Sequence, residues 1–291
     1  MNSLTRTEFH AWNPKACVRI HGEDAATFLQ GQFTNDLQKM GNGGTSYGLW
    51  LNQKGKVVAD SFITQIAEKD FRVVSYFSPG SVIRERLEAY VIADDVIIED
   101  LTDEHAAVTV FQVPDDAVAM GGGSWNFPGR RGHGSQSEII FPRSSRDEIR
   151  AKLATSGELF ESELERRRIR AGIPAVPADI GPTDLPNEGG LEVDAISYTK
   201  GCYLGQEVMA RLKSMGQVRR RLRQVRGVGD LVSPSTHLFQ KGRKVGEVRS
   251  AVADGESWIG LAMISSMQFS PTEGLALALD GPASVTVEKI P

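Results

Sequence analysis

The feature that most constrains this chain is a change of rhythm near residue 216. Before it, strand-like and helix-like segments alternate. After it come only short alternating runs at close spacing: "QVRRRLRQVRGV", "THLFQKGRKVGEVRSAV", "SWIGLAMI", "GLALAL" and "ASVTVEK". Such runs, separated by turn residues, predict a small β-barrel or open sandwich. The 291 residues therefore divide into an α+β region over 1–215 and a C-terminal β-barrel over 216–291.

Within the first region, "ACVRIHGEDAATFLQGQFTNDL" reads as a strand, a turn at Gly22 and an amphipathic helix with Ala25, Phe28 and Leu29 on one face. Cys17 lies in the strand, where a small buried apolar role is expected. "TSYGLWLNQKGKVVADSFIT" and "FRVVSYF" predict a meander of antiparallel strands. "SPGSVIRERLEAYVI" then carries Val82, Ile83, Leu87 and Val91 at helical spacing, and "DDVIIEDL" returns to strand. The glycine-rich "MGGGSWNFPGRRGHG" lacks the residue order of a P-loop and predicts a long surface hairpin. Two charged helices follow, "SSRDEIRAKLA" and "SGELFESELERRRIRAGI". Residues 172–196 hold four prolines and little periodicity. A connection of that length inside a compact domain is usually functional or disordered.

Composition narrows the setting. With 40% hydrophobic and 24% charged residues the chain reads as an ordinary soluble globular protein. No apolar run approaches the roughly 20 residues needed to span a bilayer, and the opening "MNSLTRTEFHAWNP" has no apolar core of a signal peptide. A cytoplasmic location is expected, with no membrane partner. Cys17 and Cys202 are too few and too far apart to suggest a disulfide scaffold or a thiolate-rich metal site. Lys plus Arg number 33 against 37 Asp plus Glu, a net charge of -4, so general nucleic-acid affinity is not expected.

The chemistry gathers in "SYTKGCYLGQEVMAR", residues 197 to 211. In an extended segment Lys200 and Cys202 emerge on the same side, placing an ammonium near the thiol. "GQEVMARLK" then reads as a helix, with Glu207 and Arg211 four residues apart. A neighbouring lysine and a helix N-terminus both favour a thiolate. The alternative is a small residue packed at a tight turn between Gly201 and Gly205, and spacing alone leaves both open. None of His10, His21, His105, His133 and His237 shows the signature of a base partner for a cysteine hydrolase. Asp60 lies in an otherwise apolar strand, so its carboxylate is on a wet face or near a polar site. The clusters "RRRIR" at 166–170 and "RRRLRQVR" at 219–226 are either solvated faces or local anion sites.

"KGCYLGQEVMAR" resembles the K-G-C-[FY]-x-G-Q-E-x-x-x-R signature of the YgfZ family, folate-binding proteins related to the T-protein (aminomethyltransferase) of the glycine cleavage system. "IHGEDAATFLQGQFTNDL", "LNQKGKVVADSFI", "RRRIRAGIP" and "KVGEVRSAV" are similar to further segments of that family. The resemblance implies an α+β fold of three modules in a ring, the last a β-barrel, around a tetrahydrofolate pocket. It also implies a role in making or repairing iron–sulfur proteins, with client or assembly proteins as partners. In it Cys202 is the signature thiol, and Lys200, Tyr203, Gln206, Glu207 and Arg211 form and support its loop at the cofactor. Asp60 matches the T-protein's catalytic aspartate, and Arg168 matches an arginine near the folate. The T-protein segment whose glutamate holds the pterin is replaced by "RRGHGSQSEII", with Gly134 or a neighbour at that place. The alternative function is a tetrahydrofolate-dependent aminomethyltransferase using Asp60 and needing no cysteine. A third possibility is a partner or nucleic-acid adaptor built on the arginine clusters.

Overall fold

Val18, Ile20, Ala59, Ile63, Phe71 and Val73 alternate inward along neighbouring strands, and that periodicity builds the first sheet. The computed structural model describes residues 7–112 and 122–288. The first sheet has five antiparallel strands in the order Thr45–Leu51, Val57–Ala67, Asp70–Ser75, Ala16–His21 and Ile97–Asp100. Helices α1 (Ala25–Gln32) and α2 (Gly80–Glu88) contribute Ala25, Phe28, Leu29, Ile83 and Leu87 to its core. The meander and both helices expected from periodicity are present.

The second sheet runs Gly157–Glu158, Glu8–Trp12, His105–Phe111, Gln136–Pro142 and Trp125–Pro128. Its first pair is parallel and the other three are antiparallel. Trp125–Pro128 and Gln136–Pro142 form a hairpin where the glycine-rich stretch predicts one, but it is not at the surface. Gln136–Pro142 is a largely buried inner strand and Phe127 packs between the sheets. Met120 and Gly121 of the stretch lie outside the described residues. Helix α3 (Arg146–Lys152) brings Ile149 against Val108, Val110 and Ile139. Trp12, Cys17, Phe62, Val74, Tyr76, Phe127 and Ile140 form one apolar cluster joining the two sheets. Cys17 is fully buried there, and burial pushes its thiol up to about 12.

Helix α4 (Glu161–Arg170) leads into the proline-rich connection, and α5 (Gln206–Met215) leads out of it. The connection is irregular yet largely internal. Val176, Ile180, Leu191, Ala195 and Ile196 are buried against Leu49, Leu51 and Val57 of the first sheet and Leu222, Ile259, Leu261 and Met263 of the barrel. A stretch without periodicity thus supplies the core that joins the modules. The barrel is closed, in the strand order Arg220–Val228, Ser257–Ser265, Arg243–Asp254, His237–Gln240, Leu275–Ala276, Ala283–Val287. Its interior is filled by Val225, Leu238, Val248, Trp258, Ala262, Leu275 and Val285. No described helix is long and apolar enough to cross a membrane.

The signature loop and the central cleft

Lys200 is buried, with its Nζ at 2.6 Å, 2.5 Å and 3.1 Å from the carbonyl oxygens of Gln30, Phe33 and Asn35. Those carbonyls lie at and just beyond the C-terminal end of α1, where a cation is favoured by the helix dipole. Cys202 is exposed two residues later. The ammonium therefore does not stand beside the thiol as extended geometry predicts. The segment is a series of bends, and lysine and cysteine leave it toward the interior and toward solvent respectively.

Tyr203 returns to the core and stacks under the Lys200 Nζ at 5.1 Å, a cation–π contact. Gly205 caps α5 with φ of 88°, and a Cβ there would sit 2.9 Å from the Asn52 carbonyl oxygen, so glycine is required. Gly201 meets neither constraint. Helix α5 starts at Gln206, four residues past Cys202, so the thiol does not sit directly before the helix N-terminus as expected. Glu207 and Arg211 are exposed and, among the described residues, make no ion pair with each other. The signature is thus a loop clamped at Lys200, Tyr203 and Gly205 that leaves its thiol outside.

Asp60 is buried rather than on a wet face. Its carboxylate accepts hydrogen bonds from Ser75 Oγ at 3.0 Å, Ser78 Oγ at 2.9 Å and Tyr47 Oη at 3.0 Å. Register explains the Tyr47 contact: Leu49 opposes Asp60, so Tyr47 is a diagonal neighbour on the same face. Burial raises the carboxyl pKa, and the three hydroxyls oppose that rise. Over the Tyr47 ring lies the Arg130 guanidinium, 4.6 Å from the centroid and 2.9 Å by its Nε from Asp194. Arg131 is held between the rings of Trp12 and Tyr76, with its Nε 3.3 Å from the fully buried Glu138.

Arg168 donates all five of its N–H groups to protein: to Glu165 from Nε and Nη2, to Ser250 from Nη2, and to the Ile173 carbonyl and Asp179 from Nη1. It ties α4, the connection and the barrel together and has no donor left for a ligand. The rest of its cluster is similarly engaged: Arg166 and Arg167 with Glu163, Arg167 with Glu8, and Arg170 with Asp254. In the second cluster Arg220 binds Asp184 and Glu188, and Arg226 binds Asp254 and Glu288. Neither cluster is simply a solvated face.

Between Arg130 of the second sheet module, the proline-rich connection and the barrel there is a cleft of about 530 Å³, walled by Arg130, Ala171 to Pro174, Glu188 to Gly190, Val193, Asp194, Arg221 to Gln224 and Leu261. That size lies within the usual range for small-ligand sites. Arg221 and Arg223 make no ion pair among the described residues, so they offer cationic donors to an anionic ligand. Of the residues expected at the cofactor, Asp60, Arg168, Lys200, Tyr203, Gln206, Glu207 and Arg211 are all absent from this wall. Arg221 and Arg223 belong to the 219–226 cluster offered as a local anion site, whereas Arg130, Asp194 and Tyr47 were not singled out. The one local signal for Arg130 was the paired arginines of "RRGHG".

Known proteins bear on this architecture. The chain superposes on glycine cleavage system aminomethyltransferase T from Bartonella henselae with a TM-score of 0.82, over 98% of this chain and 86% of that one, at 16% identity. Residues 14–112 match the family model described as the GCVT N-terminal domain. The fold is therefore that of the aminomethyltransferase T class, with two sheet modules and a closed barrel. Within that class the chain is 29% identical to the mitochondrial iron–sulfur cluster assembly factor IBA57 of Mus musculus, over 87% of this chain and 76% of the relative. It is 22% identical to the tRNA-modifying protein YgfZ of Blochmanniella pennsylvanica, over 78% of this chain and 73% of the relative. The resemblance to the YgfZ family and, through it, to the T-protein is shown by these matches together.

Proposed function

We propose that this chain binds tetrahydrofolate in the central cleft and assists the assembly or repair of iron–sulfur enzymes through Cys202. The observation that carries the reading is the braced loop: a buried lysine trident, a buried tyrosine and an obligatory glycine hold one exposed cysteine at the surface. A loop fixed in that way presents a thiol to another molecule. The relatives named as iron–sulfur cluster assembly factors supply the class of molecule. Thiolates are soft ligands suited to iron–sulfur clusters, and no group of three or more metal-ligating side chains assembles among the described residues. Cluster contact would therefore be completed by a partner protein.

Folate fits the cleft by charge: Arg221 and Arg223 would hold its carboxylates, while Arg130 and the backbone of 171–174 and 188–190 would line its ring system. Tetrahydrofolate supplies a one-carbon carrier amine when bound; the residues here bind, orient and shield it. Calorimetric titration with tetrahydrofolate tests the pocket, with Arg223→Ala as the weakened variant. Loss of iron–sulfur enzyme activity in cells carrying Cys202→Ala, with the protein still folded, tests the thiol. Full retention of activity would reject it.

A second reading, aminomethyl transfer by Asp60, draws on the fold class. Against it stands the burial of Asp60 beneath Tyr47 and Arg130. Methylene transfer that persists in Cys202→Ala and vanishes in Asp60→Asn would favour it.

A further inference from the structure

Arg130 is the shared wall of two spaces. One is the 530 Å³ cleft; the other is a recess of about 20 Å³, room for little more than one water, walled also by Tyr76, Phe77, Arg131, Glu161, Leu164, Glu165 and Arg168. Asp60 lines neither, because Tyr47 covers it and Arg130 covers Tyr47. The guanidinium is flat, packs over the Tyr47 ring, and is anchored from the cleft side by the half-exposed Asp194. Its backbone N–H is fixed separately, 3.0 Å from Tyr76 Oη. The side chain can therefore swing while its backbone stays in place.

We propose that Arg130 and Asp194 form a latch that closes the cleft over Tyr47 and Asp60, displaced when the flat heteroaromatic ring of a ligand takes the guanidinium's place on Tyr47. Withdrawal of Arg130 joins the recess to the cleft and exposes the Tyr47 ring and hydroxyl. Asp194 is half-exposed, so solvent screens its ion pair with the largely buried Arg130, and the cation–π contact is modest; the closed state is favoured only weakly. A latch of that strength lowers apparent ligand affinity by the fraction of molecules found closed. The ligand class rests on the folate reading above; the latch itself does not.

The test uses the full-length chain and Asp194→Asn, which keeps Arg130 and the shape of its anchor but removes the charge. In ligand-free protein, nitration of Tyr47 by tetranitromethane, mapped by peptide mass spectrometry, is expected to run several-fold faster in the variant. An unchanged rate overturns the latch. With tetrahydrofolate as the probe, Kd is expected to fall by about three- to tenfold in Asp194→Asn and to return toward the wild-type value in Asp194→Glu. Wild-type binding with an unchanged or weaker Kd in the variant overturns displacement by the ligand. If neither protein binds tetrahydrofolate, the folate reading fails, and the latch stands or falls on the nitration rate alone.

Discussion

The Nζ of Lys200 lies 2.5 Å from the carbonyl oxygen of Phe33, across 167 residues of sequence, and this contact fixes where the signature loop begins. Burial pushes the ammonium down to about 8 from its ordinary value of 10.5. Between those two values the unfolded chain holds the proton more tightly than the folded one. The lysine's contribution to stability therefore rises with pH through that window, and the burden of burying its charge is fully present below it. Urea denaturation of wild type and Lys200→Met at pH 7.5 and pH 9.5 should show the wild type gaining on the variant at the higher pH. At neutral pH Lys200→Met should lose about 1–3 kcal/mol, because three carbonyls lose their donor.

Thiol chemistry should separate the two cysteines completely. Cys202 is exposed, whereas Cys17 is sealed in the cluster between the sheets with its thiol pushed up to about 12. The thiolate is the reactive form. Native protein treated with iodoacetamide should take one label, on Cys202, and a second only on denaturation. Cys202→Ser should change stability by less than about 0.5 kcal/mol, as for other exposed substitutions.

Arg168→Ala should be a stability variant before it is a binding variant. It leaves Asp179, which is fully buried, without its 2.6 Å partner. Removing one member of a buried ion pair costs about 3–5 kcal/mol. Thermal unfolding should drop by several degrees, and any loss of folate affinity should be read only at a temperature where circular dichroism shows the variant folded. A variant of unchanged melting temperature would show that Arg168 does not knit α4 to the barrel.

How far the sequence could be read depended on whether a feature was local. Helices α1 and α2, the meander and the barrel strands were legible because their periodicity repeats within a dozen residues. The strand Glu8–Trp12 was not, since "EFHAW" mixes charged and aromatic residues and is defined by its pairing with Ala107–Phe111. The parallel partner Gly157–Glu158 is two residues long and carries no pattern of its own. The cysteine motif was legible as a motif, but the direction of Lys200 was not: its carbonyl partners are 165 to 170 positions away. Tyr47, Ser75 and Ser78 reach Asp60 only through strand register, and Arg130 reaches Tyr47 only because the two sheets pack together.

Asp60 offers a test in which two opposed effects compete. Desolvation raises its carboxyl pKa, while Ser75, Ser78 and Tyr47 donate hydrogen bonds that favour the anion. With burial as the larger effect, the folded protein binds this proton more tightly than the unfolded chain does. Its contribution to stability then grows as pH falls through the raised value toward the ordinary carboxylate range. Asp60→Asn removes the titration while keeping the side chain's size. Urea denaturation at pH 7, 6 and 5 should therefore show wild type gaining on Asp60→Asn as the solution is acidified. The opposite trend would mean that the three hydroxyls outweigh burial and hold the carboxylate as an anion. In that case Asp60 is ionised at neutral pH and suited to pair with a ligand's protonated amine, and the aminomethyltransferase reading would gain the charged group it needs beneath Tyr47.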